Sequence, residues 1–171
     1  YEIYVNSCPE CHYCGYRSDF DTTFSKTTKK EILKILEPFK GSKMTDVLEH
    51  EIAVEIHKYF KRENNDIANL YLVASYFLKG DSLQTAKRKE LQLNCATYLQ
   101  KAIQVKEYTN VETYAKVNYL IGEMYRRIGE FDKAIRYYDF ALNDPNKKDW
   151  LLEVASEQKK LAIAKNDDNS I

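Results

Sequence analysis

The chain has 171 residues, and its 26 Lys and Arg equal its 26 Asp and Glu, so the formal net charge is zero. That balance argues against a general nucleic-acid coat, whose affinity rests on excess cationic side chains. No run approaches the roughly 20 apolar residues needed to cross a bilayer, and no basic region followed by an apolar stretch marks a secretory signal. The length suits one compact domain with a small appendage. Five glycines and three prolines suit helices and disfavour an all-β fold. Fourteen tyrosines supply apolar rings with polar tips for helix–helix contacts. The chain begins at Tyr1 rather than Met, so a start upstream is expected.

Tyr1 to Val5 alternates apolar and polar residues and predicts a short strand. It enters SCPECHYCGY, residues 7–16, where Cys8, Cys11 and Cys14 fall within seven residues. This spacing favours metal binding over a disulfide framework, and with it a reducing, cytoplasmic setting. A strand running into a Cys-Pro-x-Cys turn has the form of a zinc knuckle, with backbone N–H groups facing the thiolates and Gly15 letting the chain reverse. Phe20 and Phe24 are expected to pin this head, residues 1–26, onto the helices.

Residues 27–171 read as helical. Thr28 with Glu31 fits a capping box for a helix to Leu36, ended by Pro38 and Gly41. Met44, Leu48, Ile52, Ile56 and Tyr59 recur at helical spacing and predict a helix to about Lys61. Asn64, Asn65 and Asp66 supply a break and an N-cap. Ile67 to Phe77 marks the next helix, closed by Gly80. Leu91, Cys95, Leu99, Ala102 and Ile103 form the stripe of a further helix starting as early as Ala86. Two helices over 111–128 and 131–143 are joined at Gly129. A last helix spans 149–165 with Trp150, Val154 and Leu161 on its apolar side, followed by a polar tail over 166–171.

Residues 115–148 carry the strongest pattern. With Ala115 as the first position, Ile121 and Gly122 fall at the Leu-Gly positions of a tetratricopeptide (TPR) unit. Tyr125 falls at its Tyr position, Ala134 and Tyr138 at its Ala-x3-Phe positions, and Ala141 at the next small site. Asn118 replaces the first large aromatic. Gly122 and Ala134 are small where the two helices cross most closely. Leu70, Val73, Ala74 and Phe77 with Cys95, Leu99 and Ala102 form a weaker upstream unit with a longer connection, in which Cys95 is a small core residue. Such a unit cannot bury its apolar face alone, so neighbours must stack on it. The predicted fold class is therefore all-α. We expect a TPR-like antiparallel α-α superhelix with a small N-terminal Cys-rich, knuckle-and-strand appendage.

In TPR proteins the first helix of each unit lines the concave face. Carried over by position, the groove residues are Lys116, Tyr119, Glu123, Arg126 and Arg127, with Tyr71 and Ser75 from the upstream unit. The carboxylate clamp that some TPR proteins build from Lys and Asn is absent, because Tyr119 and Glu123 hold those positions. A protein or peptide partner of mixed polarity fits this lining. The ordinary alternative is a solvated face with an i,i+4 pair from Glu123 to Arg127.

Zinc needs four N or S ligands, and Cys8-x2-Cys11-x2-Cys14 offers three. The spacing leaves open a structural zinc site, an iron–sulfur site lacking its fourth Cys, a redox pair, or unliganded thiols. The Cys-rich head, its CGY close, the F-x3-F that follows and the TPR-like helices together resemble the bacterial family DUF2225. In that family two CPxC-type knuckles usually stand a few dozen residues apart, whereas here CPEC and HYCGY are fused. The departure reflects either this member's own pattern or an intervening segment absent from the chain. The resemblance implies a zinc ribbon on a helical-repeat body and no reaction.

No enzyme is predicted. HEIAVEIH over 50–57 lacks the i,i+4 histidine pair of a zincin, since position 54 is Val. His50 and His57 read as surface or partly buried helix residues. The chain has no P-loop, GxGxxG or Gly-x-Ser-x-Gly, and Asp167 with Asp168 lies in the tail. The expected function is a non-catalytic scaffold or adaptor with a structural zinc site and no membrane or nucleic-acid partner. The alternative is a metal- or redox-responsive protein worked by Cys8, Cys11 and Cys14.

Overall fold

A computed structural model describes residues 4–167. Two short strands, β1 (Asn6–Ser7) and β2 (Cys14–Gly15), pair antiparallel with Asn6 opposite Gly15 and Ser7 opposite Cys14. Seven helices follow among the described residues: α1 (Lys26–Leu36), α2 (Asp46–Tyr59), α3 (Asn64–Phe77), α4 (Thr85–Gln104), α5 (Glu112–Ile128), α6 (Phe131–Asn143) and α7 (Asp149–Ile163). The strand expected over Tyr1–Val5 lies largely outside the described residues, and the pairing seen begins at Asn6. From α2 onward each helix packs on the next, and α5 also touches α7. The short connections make neighbours antiparallel, the arrangement in which each amphipathic stripe is buried by the helix that follows it.

The caps explain the helix starts. Ser25, not Thr28, caps α1 by accepting from the Thr28 N–H at 3.1 Å. Thr45 caps α2 by accepting from the Leu48 N–H at 3.2 Å. At α3 no local side chain caps the helix. Glu107, from beyond the end of α4, accepts from the backbone N–H groups of Asn64 at 2.8 Å and Asn65 at 2.9 Å. A carboxylate there satisfies orphan donors and complements the positive end of the helix dipole. α5 ends in a left-handed Gly129 at φ 89°. The Glu130 N–H then bonds back to the Tyr125 carbonyl at 2.9 Å, the 6→1 bond of a Schellman cap.

The α5–α6 contact buries Ala115, Ile121, Gly122, Ala134, Tyr138 and Ala141 completely or nearly so. Cys95 is fully buried in α4, and burial pushes its thiol up to about 12. α7 departs from its expected face. Leu151, Ala155, Gln158 and Ala162 are buried, while Trp150 is half exposed. The stripe sits one position later than the large aromatic suggested, because small Ala155 and Ala162 let α7 approach its neighbours closely. His50 and His57 also depart from expectation, at 3% and 2% exposure, because α2 is covered on one side by the head and on another by α3.

A Cβ at Gly122 would stand 2.8 Å from two ring carbons of Tyr138. Gly122→Ala is therefore expected to lower stability by about 1–3 kcal/mol through overpacking, read as a reduced denaturant midpoint. An unchanged midpoint would show that the α5–α6 spacing is not set by this contact.

Candidate functional site

The head is a tight hairpin. The Cys8 N–H donates to the Tyr13 carbonyl at 2.8 Å, and the His12 N–H donates to the Cys8 carbonyl at 2.9 Å. The reversal is made by His12 at φ 61°, not by Gly15. Gly15 is small for a different reason: a Cβ there would meet Asp19 Oδ2 at 2.8 Å.

Cys8 is half-buried, Cys11 exposed, Cys14 buried, and all three are free thiols. Backbone N–H groups of Cys11 and then Glu10 bond to the Cys8 sulfur and hold its thiol below its ordinary value. Partial burial raises Cys11, and the neighbouring Cys8 adds to the rise. Amide dipoles aimed at a sulfur favour its ionised form. Cys14 lies within electrostatic reach of that pair but differs from it in burial. It has no exposed surface, lies on the strand that packs against α2, and donates to the His12 carbonyl at 3.3 Å. Burial pushes its thiol up to about 12. Among the described residues, no three His, Cys, Asp or Glu side chains stand together as a metal-binding group. Cys8 and Cys11 are the two thiols of the hairpin that keep accessible surface and could serve as metal ligands.

Beside the pair opens an apolar pocket of about 300 Å³, walled by Tyr13, Phe20, Phe24, Ile32, Leu33 and Leu36. Tyr13 holds both phenylalanines, with ring centroids 5.3 Å from Phe20 and 5.7 Å from Phe24. Phe24 pins the head by stacking on Phe60 at 5.5 Å, whereas Phe20 is partly exposed at the pocket.

Asp19 mounts the head on α2. Its carboxylate accepts from the Tyr16 N–H at 2.8 Å and from Arg62 at 2.7 Å. His57 Nε2 lies 3.7 Å from it, too far for a hydrogen bond, and the Tyr16 ring meets the imidazole edge-on. Burial lowers His57, against the pull of Asp19, and burial lowers His50 as well. Sequence reasoning passed over Asp19, although its position three residues after Tyr16 matches a local turn cap.

The groove residues read from the sequence do not share one surface. Lys116 is exposed, and Tyr119 and Arg127 are partly buried. Glu123 is buried and Arg126 fully so. Glu123 accepts from the Tyr138 hydroxyl in a short bond, from Arg126 at 3.2 and 3.3 Å and from Arg127 at 3.1 Å. Burial, then Glu123, raises Tyr138 far above an ordinary phenol. Burial opposes the Arg126 charge, and Glu123 more than restores it. Tyr71 is turned away, accepting from Lys58 at 3.2 Å and lying 5.8 Å from the Tyr98 ring. Ser75 is buried and donates to the Leu72 carbonyl of its own helix at 2.7 Å. The α3 residue within electrostatic reach of Glu123, Arg127 and Tyr119 is Tyr76, which is half exposed. The charged run over 86–90 is only partly solvated, since Lys87 pairs with Glu51 at 2.6 Å.

A histidine held below its unfolded value near 6.5 contributes stability that is complete above that value and lost as pH falls, because the unfolded chain binds the proton first. The melting temperature should therefore fall as pH drops through the ordinary histidine range. In His50→Gln/His57→Gln the slope between pH 7 and pH 5 should flatten. An equal slope in this variant, followed by circular dichroism, would assign the dependence elsewhere.

Comparison with curated proteins found no match, and comparison with solved structures found none. No helix among the described residues is long and apolar enough to cross a membrane. The family model described as "Uncharacterized protein conserved in bacteria (DUF2225)" matches residues 1–162. A match over nearly the whole length joins the cysteine hairpin and the helices into one inherited unit, and the chain belongs to the DUF2225 family.

Proposed function

We propose that this chain is a non-catalytic, cytoplasmic interaction scaffold: a TPR-like array of helices carrying a zinc-stabilised head. The observation that carries the reading is the order of packing. Helices α2 to α7 stack successively, and the buried positions of α5 and α6 coincide with the small and aromatic sites of a TPR unit. In such an array alternate helices line one face, here α3 and α5, where Tyr76, Lys116 and Tyr119 keep accessible surface. A protein or peptide is the partner class that fits an extended face with aromatic rings and a cation.

Zinc is the metal proposed for the head, held by Cys8 and Cys11 with two further donors, where it would supply a cross-link in place of a larger core. Cys14 serves this head as a buried core residue. A second reading, a metal- or redox-responsive head, is favoured by the lowered Cys8 thiol beside Cys11 in one tight turn and by the exposure of Cys11.

Two measurements test the proposal. Elemental analysis of anaerobically purified full-length protein should find stoichiometric zinc. Zinc should be lost in Cys8→Ser/Cys11→Ser, retained in Cys14→Ala, and unchanged by oxidant. Zinc released reversibly by peroxide, or an iron–sulfur absorbance, would replace the structural reading with the responsive one. Quantitative co-purification should show Tyr76→Ala/Lys116→Glu losing partners by about ten-fold or more, the scale of one interface anchor. Retention of every partner by this folded variant would remove the α3–α5 face as the site.

A further inference from the structure

Helix α7 does not simply stop. Lys165 takes a left-handed conformation at φ 54°, and the Asn166 N–H bonds back to the Leu161 carbonyl at 2.9 Å. This Schellman-type turn sends the chain back over the array instead of away from it. The Asn166 carbonyl then accepts from Arg126 at 3.0 Å, and Asp167 pairs with Lys89 at 3.4 Å. Arg126 belongs to the last turn of α5 and Lys89 to the early part of α4. Two elements of the array thus hold two consecutive residues of the chain after α7, one through its backbone and one through its acid.

The electrostatics of this end favour an acid. Lys89, Arg126 and Arg127 gather there, and Glu123 is the carboxylate that pairs with both arginines. Asp167 brings a second carboxylate to this group of cations through Lys89. Tyr76, half exposed and within reach of Arg127, adds an aromatic surface beside them. A guanidinium bonded to a backbone carbonyl reads chain direction and placement, and a lysine bonded to a carboxylate reads sequence.

We propose that this end of the array is a docking site for an extended acidic peptide segment, and that Asn166–Asp167 occupies it in cis. The proposal rests on the scaffold reading and narrows its partner to an acidic, unstructured stretch that must displace the chain's own residues. The displaced segment acts as a tethered competitor, whose effective concentration in the millimolar range weakens any partner.

The test is an NMR titration of ¹⁵N-labelled protein with the peptide Lys-Asn-Asp-Asp-Asn-Ser-Ile, using Lys-Asn-Asn-Asn-Asn-Ser-Ile as the neutral control. A chain ending at Lys165 should bind the acidic peptide, with shifts at the Arg126 side chain and at the start of α4. The full chain should bind about ten-fold more weakly. Lys89→Glu, a partly exposed position, should abolish the binding while leaving the melting temperature within a few degrees. Should the shortened chain melt early, Asp167→Lys in the full chain replaces it, and that variant should gain affinity for the same peptide. Equal binding of the neutral peptide, or equal affinity of full and shortened chains, overturns the proposal. The titration is read through Lys89 and Asp167, which the co-purification variant leaves unchanged, so failure of the α3–α5 face and failure of this titration are separate outcomes.

Discussion

A carboxylate buried between helices must be fully satisfied or it destabilises everything around it, because burial removes the water that would otherwise solvate its charge. Glu123 is that group. It accepts from Tyr138 of α6 and from Arg126 and Arg127 of its own helix. The bond to Tyr138 holds the ring against Gly122, so the spacing of α5 and α6 and the satisfaction of Glu123 are one constraint. Arg126 then extends the network to the segment after α7. Two helices and the segment after α7 are thus positioned through one charge, and side chains that look like groove residues on a helical wheel are consumed by packing.

The head repeats the device at smaller scale. Asp19 accepts from the hairpin's own Tyr16 N–H and from Arg62 after α2, while the rest of the junction is aromatic stacking from Tyr16 on His57 and Phe24 on Phe60. With Cys14 committed to this junction, the pair Cys8 and Cys11 is left outward beside the apolar pocket. A hairpin with so little area of its own depends on such outside support. The docking through Asp19 and the stacking of Phe24 on Phe60 supply that support.

Most helix positions were legible in the sequence, for local reasons. Leu91, Cys95, Leu99 and Ala102 recur at helical spacing, and Gly129 punctuates the hairpin of α5 and α6. The family resemblance rested on equally local features: the CPEC turn, the CGY close and Phe20 with Phe24. The departures are long-range. Asn64 looked like a cap, yet its helix is capped by Glu107, 43 positions away. Trp150 looked like the core of α7, yet the close approach of Ala155 and Ala162 turns it to solvent. Ser75 was assigned to the groove one residue away from Tyr76, since a helix face turns 100° per residue and the facing neighbour chooses among adjacent positions.

The sequence by itself determined the helical class, the seven helices within a few residues, the small sites at Gly122 and Ala134, and the thiols from which a metal ligand set would be drawn. Periodicity, caps and ligand spacing are properties of neighbouring residues. The tertiary structure alone decided which polar groups are consumed by packing and which remain available: Glu123 and Arg126 buried, Cys14 turned inward, Asp19 and Glu107 recruited, and Asn166–Asp167 laid across α4 and α5. Each of those outcomes depends on a partner brought from another element, and a buried charge takes whichever partner satisfies it wherever that partner lies in the chain.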